Sequence, residues 1–249
     1  MPDPIPLGSL VIPRPAPADT LRWSRFLAAT EAEGPGRRAA VWVQGCSVRC
    51  PGCFNPHLWA DRGGLEGSPE ELAAEWVAAA RDAGAEGITL LGGEPFDQAA
   101  ALAVVAEAFQ DAGLTVMTFT GYPLERLEAW ARHRADLGRL LAATDLLADG
   151  PYLADRPERR RPWIGSVNQG IRALTPAYRE VVDAIETDGG TDRLEVRIAR
   201  DGTVAVNGWA DDETLETLLG DLGVRADRPG DVARHDLSRL GLTTEKELA

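Results

Sequence analysis

The chain has 249 residues, of which 44% are hydrophobic and 26% charged, and its formal net charge is −13. This length and composition exclude wholesale disorder and the small disulfide-dependent scaffolds, because a chain of this size buries enough surface to fold unaided. The negative charge argues against a nucleic-acid partner, and the lack of an apolar run of about 18 residues or a signal peptide predicts a cytoplasmic protein without membrane attachment.

Strands and helices alternate along the predicted core of the chain. Residues 1–20 are rich in proline and predict an extended lead-in on the surface. Continuous apolar runs predict buried strands, and capping residues mark helix starts. Strands are expected at 39–43, 88–91, 114–120 and 145–148, with helices opened by Ser68 (in a capping box with Glu71) and by Asp97, and a third helix over 124–143. This alternation predicts an α/β fold with a parallel sheet, whose strand-end loops share one edge.

Beyond residue 175 the pattern changes to alternating apolar and polar residues. Residues 194–198 and 204–206 predict a β-hairpin with Asp201 and Gly202 in its turn. An amphipathic helix is expected over 215–222, followed by a loosely held tail over 225–249. We therefore divide the chain into the lead-in 1–20, a core over 21–175 and a small α+β extension over 176–249.

All three cysteines lie within eight residues, at Cys46, Cys50 and Cys53. Such a cluster on a loop indicates metal ligation, since thiolates are soft ligands that suit zinc or an iron–sulfur cluster. A 4Fe-4S cluster held by three cysteines leaves one iron open. Alternatively, His57 would complete a Cys3His zinc site, which would make the chain a zinc-stabilised, non-catalytic binding module. The cysteines alone leave both alternatives open.

A second motif, Gly92, Gly93 and Glu94, directly follows a predicted strand. Glycines at this point let a ligand approach the backbone, and the Glu94 carboxylate can accept a hydrogen bond from an ammonium group. Taken alone, the same glycines are more simply explained by a tight turn between strand and helix.

The two motifs together resemble the radical S-adenosylmethionine superfamily. Further segments are similar to the glycyl-radical-enzyme activases, in particular those of anaerobic ribonucleoside-triphosphate reductases: EGPGR at 33–37, QGCSVRCPGCFNPHLW at 44–59, TGY at 120–122, DLLADGPY at 145–152 and GSVNQ at 165–169. The chain departs from the usual pattern at Glu33, where the family has Asp, and at Gly52, where most radical enzymes have an aromatic residue. The resemblance covers residues 21–174.

The resemblance implies a partial (βα) barrel that carries a 4Fe-4S cluster and S-adenosylmethionine. Cys46, Cys50 and Cys53 would hold the cluster. The S-adenosylmethionine contacts implied by the family are Gly92, Gly93 and Glu94 at the methionine amino group, Gly52 and Phe54 at the adenine, and Asn55 and Thr120 as secondary candidates. One-electron cleavage would yield a 5′-deoxyadenosyl radical, which abstracts a glycine hydrogen in a partner enzyme. A flavodoxin or ferredoxin would donate the electron. The alternative within the superfamily is action on a small molecule or a peptide.

Two further features have alternative roles. Asp149, at the end of a predicted strand, would bind ribose hydroxyls or the partner's glycine loop, or would only form a turn. The basic loop of Arg156, Arg159, Arg160 and Arg161 would dock an acidic electron donor, or would be a solvated surface loop.

Overall fold

A computed structural model describes residues 11–198, 204–208, 217, 218 and 220. Within these residues, one sheet is formed by the strands β1 (Leu21–Thr30), β2 (Arg38–Val43), β3 (Leu65–Gly67), β4 (Gly87–Gly92), β5 (Thr115–Thr120), β6 (Leu146–Asp149) and β7 (Gly170–Ala173). The strand order is β3-β1-β2-β4-β5-β6-β7.

The centre of the sheet is parallel and its two margins are antiparallel. Strands β2, β4, β5 and β6 run parallel to one another, whereas β1 and β7 pair antiparallel with β2 and β6, and β3 pairs antiparallel with β1. The predicted α/β class and the four core strands are confirmed. Strand β1 was not predicted, and the closure of the sheet into a partial barrel remains a prediction.

Helices cover the sheet and supply much of its core. They are α1 (Pro69–Asp82), α2 (Ala99–Asp111), α3 (Leu124–Ala131), α4 (Ala135–Ala142) and α5 (Arg179–Asp188). The Ser68 hydroxyl accepts a hydrogen bond from the Glu71 amide at 3.3 Å, which confirms the predicted cap of α1. In α1, the buried Trp76 ring stacks on Phe26 at 4.8 Å and meets Trp23 edge-on at 5.5 Å.

Two helix predictions are wrong in detail. The single helix expected over 124–143 is broken between α3 and α4, where Arg134 is extended (φ −132°, ψ 96°) and its guanidinium bonds to Asp136 and to the Pro13 carbonyl. Asp97 does not open α2. It lies in a 3₁₀ turn over Pro95–Gln98, and Gln98 stands at the N-cap. Because the Asp97 carboxylate bonds elsewhere, it is not available as a cap.

The predicted C-terminal hairpin is confirmed as β8 (Leu194–Ile198) paired antiparallel with β9 (Val204–Gly208). The predicted turn at Asp201 and Gly202, the tail over 225–249 and most of the helix expected over 215–222 lie outside the described residues. The Asn207 amide donates to the Thr30 hydroxyl at 2.9 Å, and the Gly208 amide donates to the Glu33 carboxylate at 2.9 Å. Thr30 pairs with Arg38 at the start of β2, so the hairpin sits at the amino edge of the parallel strands.

A buried arginine ties that amino edge together. Arg38 is fully buried and donates to the hydroxyls of Thr89, Thr115 and Tyr178 and to the carbonyls of Ile88 and Thr115. These acceptors are all uncharged, and burial lowers the pKa of the guanidinium. In the described part of the chain, no helix has the length and apolar character to cross a bilayer.

Candidate functional site

The three cysteines lie on a loop that leaves the carboxyl end of β2 and folds back on itself. The Gly45 amide donates to the Leu58 carbonyl at 2.8 Å, and the Cys46 amide donates to the Trp59 carbonyl at 3.2 Å. A 3₁₀ turn over Pro56–Leu58 closes the loop. Cys50 is buried, and Cys46 and Cys53 are half-buried. The backbone thus holds all three thiols at one edge of the sheet.

Burial makes these thiols poor acids. It raises the pKa of Cys46 to about 12, although the amides of Val48 and Arg49 point at its sulfur and oppose the shift. Burial likewise raises the pKa of Cys50 to about 11 against the opposing amide of Tyr152. A cationic metal centre beside these sulfurs would reverse this preference and stabilise the thiolates. The donor set therefore suits a metal centre that brings its own positive charge.

The number of ligands differs between the two alternatives, since three thiolates can hold a cluster with one open iron, whereas a zinc ion needs a fourth ligand. Within the described residues, no three His, Cys, Asp or Glu side chains form a group that could hold one metal ion. Zinc needs all four ligands around one atom, whereas each thiolate of an iron–sulfur cluster binds its own iron. The His57 side chain is also exposed, while Cys50 is buried. The geometry gives no support to the Cys3His alternative.

The Gly92–Gly93 pair lies directly against the start of the cysteine loop. The Gly93 amide donates to the Val43 carbonyl and the Glu94 amide to the Gly45 carbonyl, both at 2.8 Å. A Cβ on Gly93 would lie 2.1 Å from the Gly45 oxygen, and one on Gly92 would lie 2.6 Å from Trp42 Cα. The close approach of two strand ends thus explains both glycines, as in the tight-turn alternative. Ligand access at this point remains a prediction.

The Glu94 carboxylate is buried next to the contact between Gly93 and the start of the cysteine loop. Its Oε1 accepts hydrogen bonds from the Phe96 amide and the Thr120 hydroxyl, both at 2.9 Å, and its Oε2 accepts one from the Gly121 amide at 2.8 Å. Burial, reinforced by the nearby Asp97, raises the pKa of Glu94. A cationic ligand beside this buried carboxylate would stabilise its charged form. Thr120, which was predicted to contact the ligand, donates its hydroxyl hydrogen bond to Glu94.

Asp97 is a site residue that the sequence interpretation missed. Its Oδ2 accepts a hydrogen bond from the Ser47 amide at 2.7 Å, and its Oδ1 accepts hydrogen bonds from the Ser47 hydroxyl at 2.9 Å and the Tyr122 hydroxyl at 3.0 Å. The Ser47 and Tyr122 hydroxyls are themselves 2.6 Å apart. This cluster links the cysteine loop, the loop after β4 and the loop after β5. Its position two residues after Gly-Glu-Pro was the available signal, and the helix-cap interpretation concealed it.

The predicted adenine contacts lie against the segment that follows β6. The Phe54 ring is 5.1 Å from the Tyr152 ring, and a Cβ on Gly52 would lie 3.0 Å from that of Ala154. The Asn55 amide donates to the Cys53 sulfur at 3.4 Å. These residues share the edge that carries the cysteines, and their contacts with a ligand remain predictions.

The Asp149 carboxylate has bonding partners in the described part of the chain, and the two roles expected for it remain predictions. Its carboxylate accepts hydrogen bonds from the Leu124 amide at 2.9 Å and from Arg172 Nε at 2.8 Å. It thus fixes the start of α3 and the antiparallel strand β7.

Two arginines of the basic loop are held within the protein. Arg161 bonds to Glu158 at 2.8 Å, and Arg160 donates to the carbonyls of Glu186 and Thr187 at the end of α5. Arg156, Arg159 and Arg160 are exposed. Because the Arg160 guanidinium is already bonded to the end of α5, Arg156 and Arg159 are the better candidates for a docking role.

Known proteins are similar to this chain over the region that carries the site. A family model described as a 4Fe-4S single cluster domain matches residues 32–172. The chain is 29% identical over 160 residues to the anaerobic ribonucleoside-triphosphate reductase-activating protein of Salmonella typhimurium, covering 62% of this chain and 99% of that protein. The protein of the same name from Pasteurella multocida is 30% identical over 148 residues, covering 57% of this chain and 90% of the relative. The pyruvate formate-lyase-activating enzyme of Clostridium pasteurianum is 33% identical over 104 residues, covering 41% of this chain and 44% of the relative.

Proposed function

Because the chain belongs to the 4Fe-4S single cluster domain family, within the glycyl-radical activase branch of the radical S-adenosylmethionine enzymes, we propose that it generates a glycyl radical on a partner enzyme. The partner is an anaerobic ribonucleotide reductase or a similar enzyme. The observation that carries the proposal is the hydrogen bond from the Glu94 amide to the Gly45 carbonyl, which fixes a buried carboxylate next to the cysteine loop.

The two motifs divide the work of binding. Cys46, Cys50 and Cys53 hold the 4Fe-4S cluster, and the buried Glu94 receives the ammonium group of S-adenosylmethionine. When the cluster and S-adenosylmethionine are bound, they supply a one-electron cleavage of S-adenosylmethionine that yields a 5′-deoxyadenosyl radical. Gly92, Gly93, Gly52, Phe54, Asn55 and Thr120 are the remaining proposed contacts to S-adenosylmethionine.

The protein supplies orientation and exclusion of water. The Glu94 carboxylate is held by three donors from its own chain, so it cannot turn toward solvent. Phe96 and Tyr122 are almost completely buried beside it. A site of low polarity strengthens the attraction between the carboxylate and an ammonium group, and protects a radical from side reactions.

The first experiment is anaerobic purification and cluster reconstitution of the whole chain. We expect iron and sulfide to bind, an electron paramagnetic resonance signal of the dithionite-reduced cluster that changes with S-adenosylmethionine, and release of 5′-deoxyadenosine. Cys50→Ala should lose the cluster, whereas the exposed His57→Ala should retain full iron content. A colourless protein that holds one zinc and loses it in His57→Ala would contradict the proposal.

The partner requires its own assay. Incubation with a candidate anaerobic ribonucleotide reductase should produce an organic-radical signal on that protein. Turnover of S-adenosylmethionine with a small molecule or a peptide, and no radical on any reductase, would favour the alternative substrate class.

We propose a flavodoxin or ferredoxin as the electron donor. The double variant Arg156→Ala/Arg159→Ala leaves the bonded Arg160 and Arg161 in place. It should slow reduction of the cluster by such a donor and leave reduction by dithionite unchanged. Equal effects on both reductants would rule out docking at this loop.

A further inference from the structure

Asp97 is the acidic group most directly joined to the cysteine loop, and the proposed binding of cluster and S-adenosylmethionine leaves it without a role. Two of its hydrogen bonds go to Ser47, the residue that follows Cys46. The third goes to Tyr122, on the loop after β5. Asp97 therefore fixes the position of the first cysteine relative to the loop that carries Thr120 and Gly121.

The contacts of Asp97 leave its charge uncompensated. Its three donors are one amide and two hydroxyls, which orient the carboxylate but bring no positive charge. The Asp97 carboxylate accepts the hydrogen bond of the Ser47 amide at 2.7 Å, and this amide belongs to the peptide group that joins Cys46 to Ser47. The carboxylate therefore lies next to the first cysteine of the loop. Glu94 gains a cationic ligand in the proposed function, whereas Asp97 does not.

We propose that Asp97 is a positioning residue whose carboxylate charge lowers the reduction potential of the cluster bound by Cys46, Cys50 and Cys53. Reduction adds one electron from an external donor to the cluster and breaks no bond. A fixed negative charge nearby opposes the added negative charge, so the reduced state becomes less stable. This inference rests on the proposed cluster site.

Two substitutions separate the charge of Asp97 from its hydrogen bonds. Asp97→Asn keeps the size of the side chain and removes the charge. Its amide oxygen can accept the hydrogen bond from the Ser47 amide, and its NH2 group can donate to the hydroxyl oxygens. Tyr122→Phe removes one hydrogen bond and leaves the charge in place.

The test is a redox titration of the reconstituted proteins with dithionite, followed by electron paramagnetic resonance, with iron content measured alongside. We expect Asp97→Asn to raise the equilibrium constant for reduction about tenfold, which is about 59 mV for a one-electron couple. Tyr122→Phe should shift that constant by less than about threefold. If Asp97→Asn does not hold a cluster, Asp97→Ser, which also lacks the charge, provides the measurement, with a shift of the same sign expected.

Three results would overturn the inference. If the variant with altered charge keeps its cluster and has the wild-type reduction potential, the charge of Asp97 has no effect on that potential. Equal shifts in that variant and Tyr122→Phe would assign the effect to packing. A wild-type chain that binds no cluster would refute the proposed function as well, so the two failures are distinguishable.

Discussion

Replacement of Gly93 by alanine tests whether the contact between the two strand ends holds the site together. The new Cβ would lie 2.1 Å from the Gly45 carbonyl oxygen and 2.9 Å from the Val43 carbonyl oxygen, and both obstacles are backbone atoms. The strand ends must therefore separate. Separation breaks the hydrogen bonds from the amides of Gly93 and Glu94, both 2.8 Å long.

Each lost bond costs about 1 kcal/mol, and a buried group left unpaired costs about 1 to 3 kcal/mol more. We therefore expect Gly93→Ala to lower the free energy of unfolding by about 3 kcal/mol. For a chain of this size that corresponds to a fall in Tm of about 6 to 12 °C. Because the same contact positions the cysteine loop, iron retention after anaerobic reconstitution should fall too.

Gly138 is the matched control for this substitution. It lies within α4, and a Cβ there would lie 3.6 Å from the Ala131 Cβ, an ordinary contact distance. Gly138→Ala should be neutral or stabilising by up to about 1 kcal/mol, since alanine favours a helix. Thermal unfolding of the metal-free proteins and iron analysis provide the measurements. A Gly93→Ala variant with wild-type Tm and full iron content would refute the reasoning.

Three other predictions test the fold. Burial raises the pKa of Glu33 to about 7. The folded state therefore keeps a proton that the unfolded state loses near pH 4.5. The free energy of unfolding of the wild type should fall by up to about 3 kcal/mol between pH 4.5 and 7 and then level off. Urea unfolding of Glu33→Gln should lack this component, and an identical pH profile would contradict it. Trp76→Ala should lower the free energy of unfolding in guanidinium by about 3 to 5 kcal/mol, because the ring is 2% exposed. Leu65→Ala, at a residue that is 43% exposed, should lower it by less than about 1 kcal/mol. Equal losses would be inconsistent with this packing. Arg38→Lys should cost about 2 to 4 kcal/mol, since an ammonium cannot reproduce the forked hydrogen bonds of Arg38, and urea unfolding with a wild-type midpoint would refute this.

The core strands were predictable because their residues are apolar without interruption. Every residue of β2 is buried, and β4 is buried up to Gly92. Strand β1 escaped prediction because its residues LRWSRFLAAT mix apolar and charged side chains, with Trp23, Arg25 and Phe26 only half-buried. A strand of this kind is defined by its partner rather than by its own pattern.

The sequence supplied candidate ligands for the site but not the contacts that support them. The spacing of three cysteines and the position of Glu94 follow from the sequence alone. The bonds of Asp97 to Ser47 and Tyr122 join residues 50 and 25 positions away. Local rules describe neighbours on one helix or turn, so they gave Asp97 the role of a helix cap. The contact of Gly93 with the Gly45 carbonyl was likewise not visible in the sequence, which offered a ligand opening or a tight turn for this glycine.

The placement of the hairpin β8–β9 bears on how such a chain can diversify. The hairpin lies beyond the residues matched by the family model, which end at 172. It is anchored to Thr30 and Glu33, at the edge of the sheet opposite the cysteine loop. Sequence added or altered there changes the surface of the protein without moving the ends of β2 and β4. Evolution, or an engineer fusing a reporter to this hairpin, can therefore vary this edge independently of the chemistry.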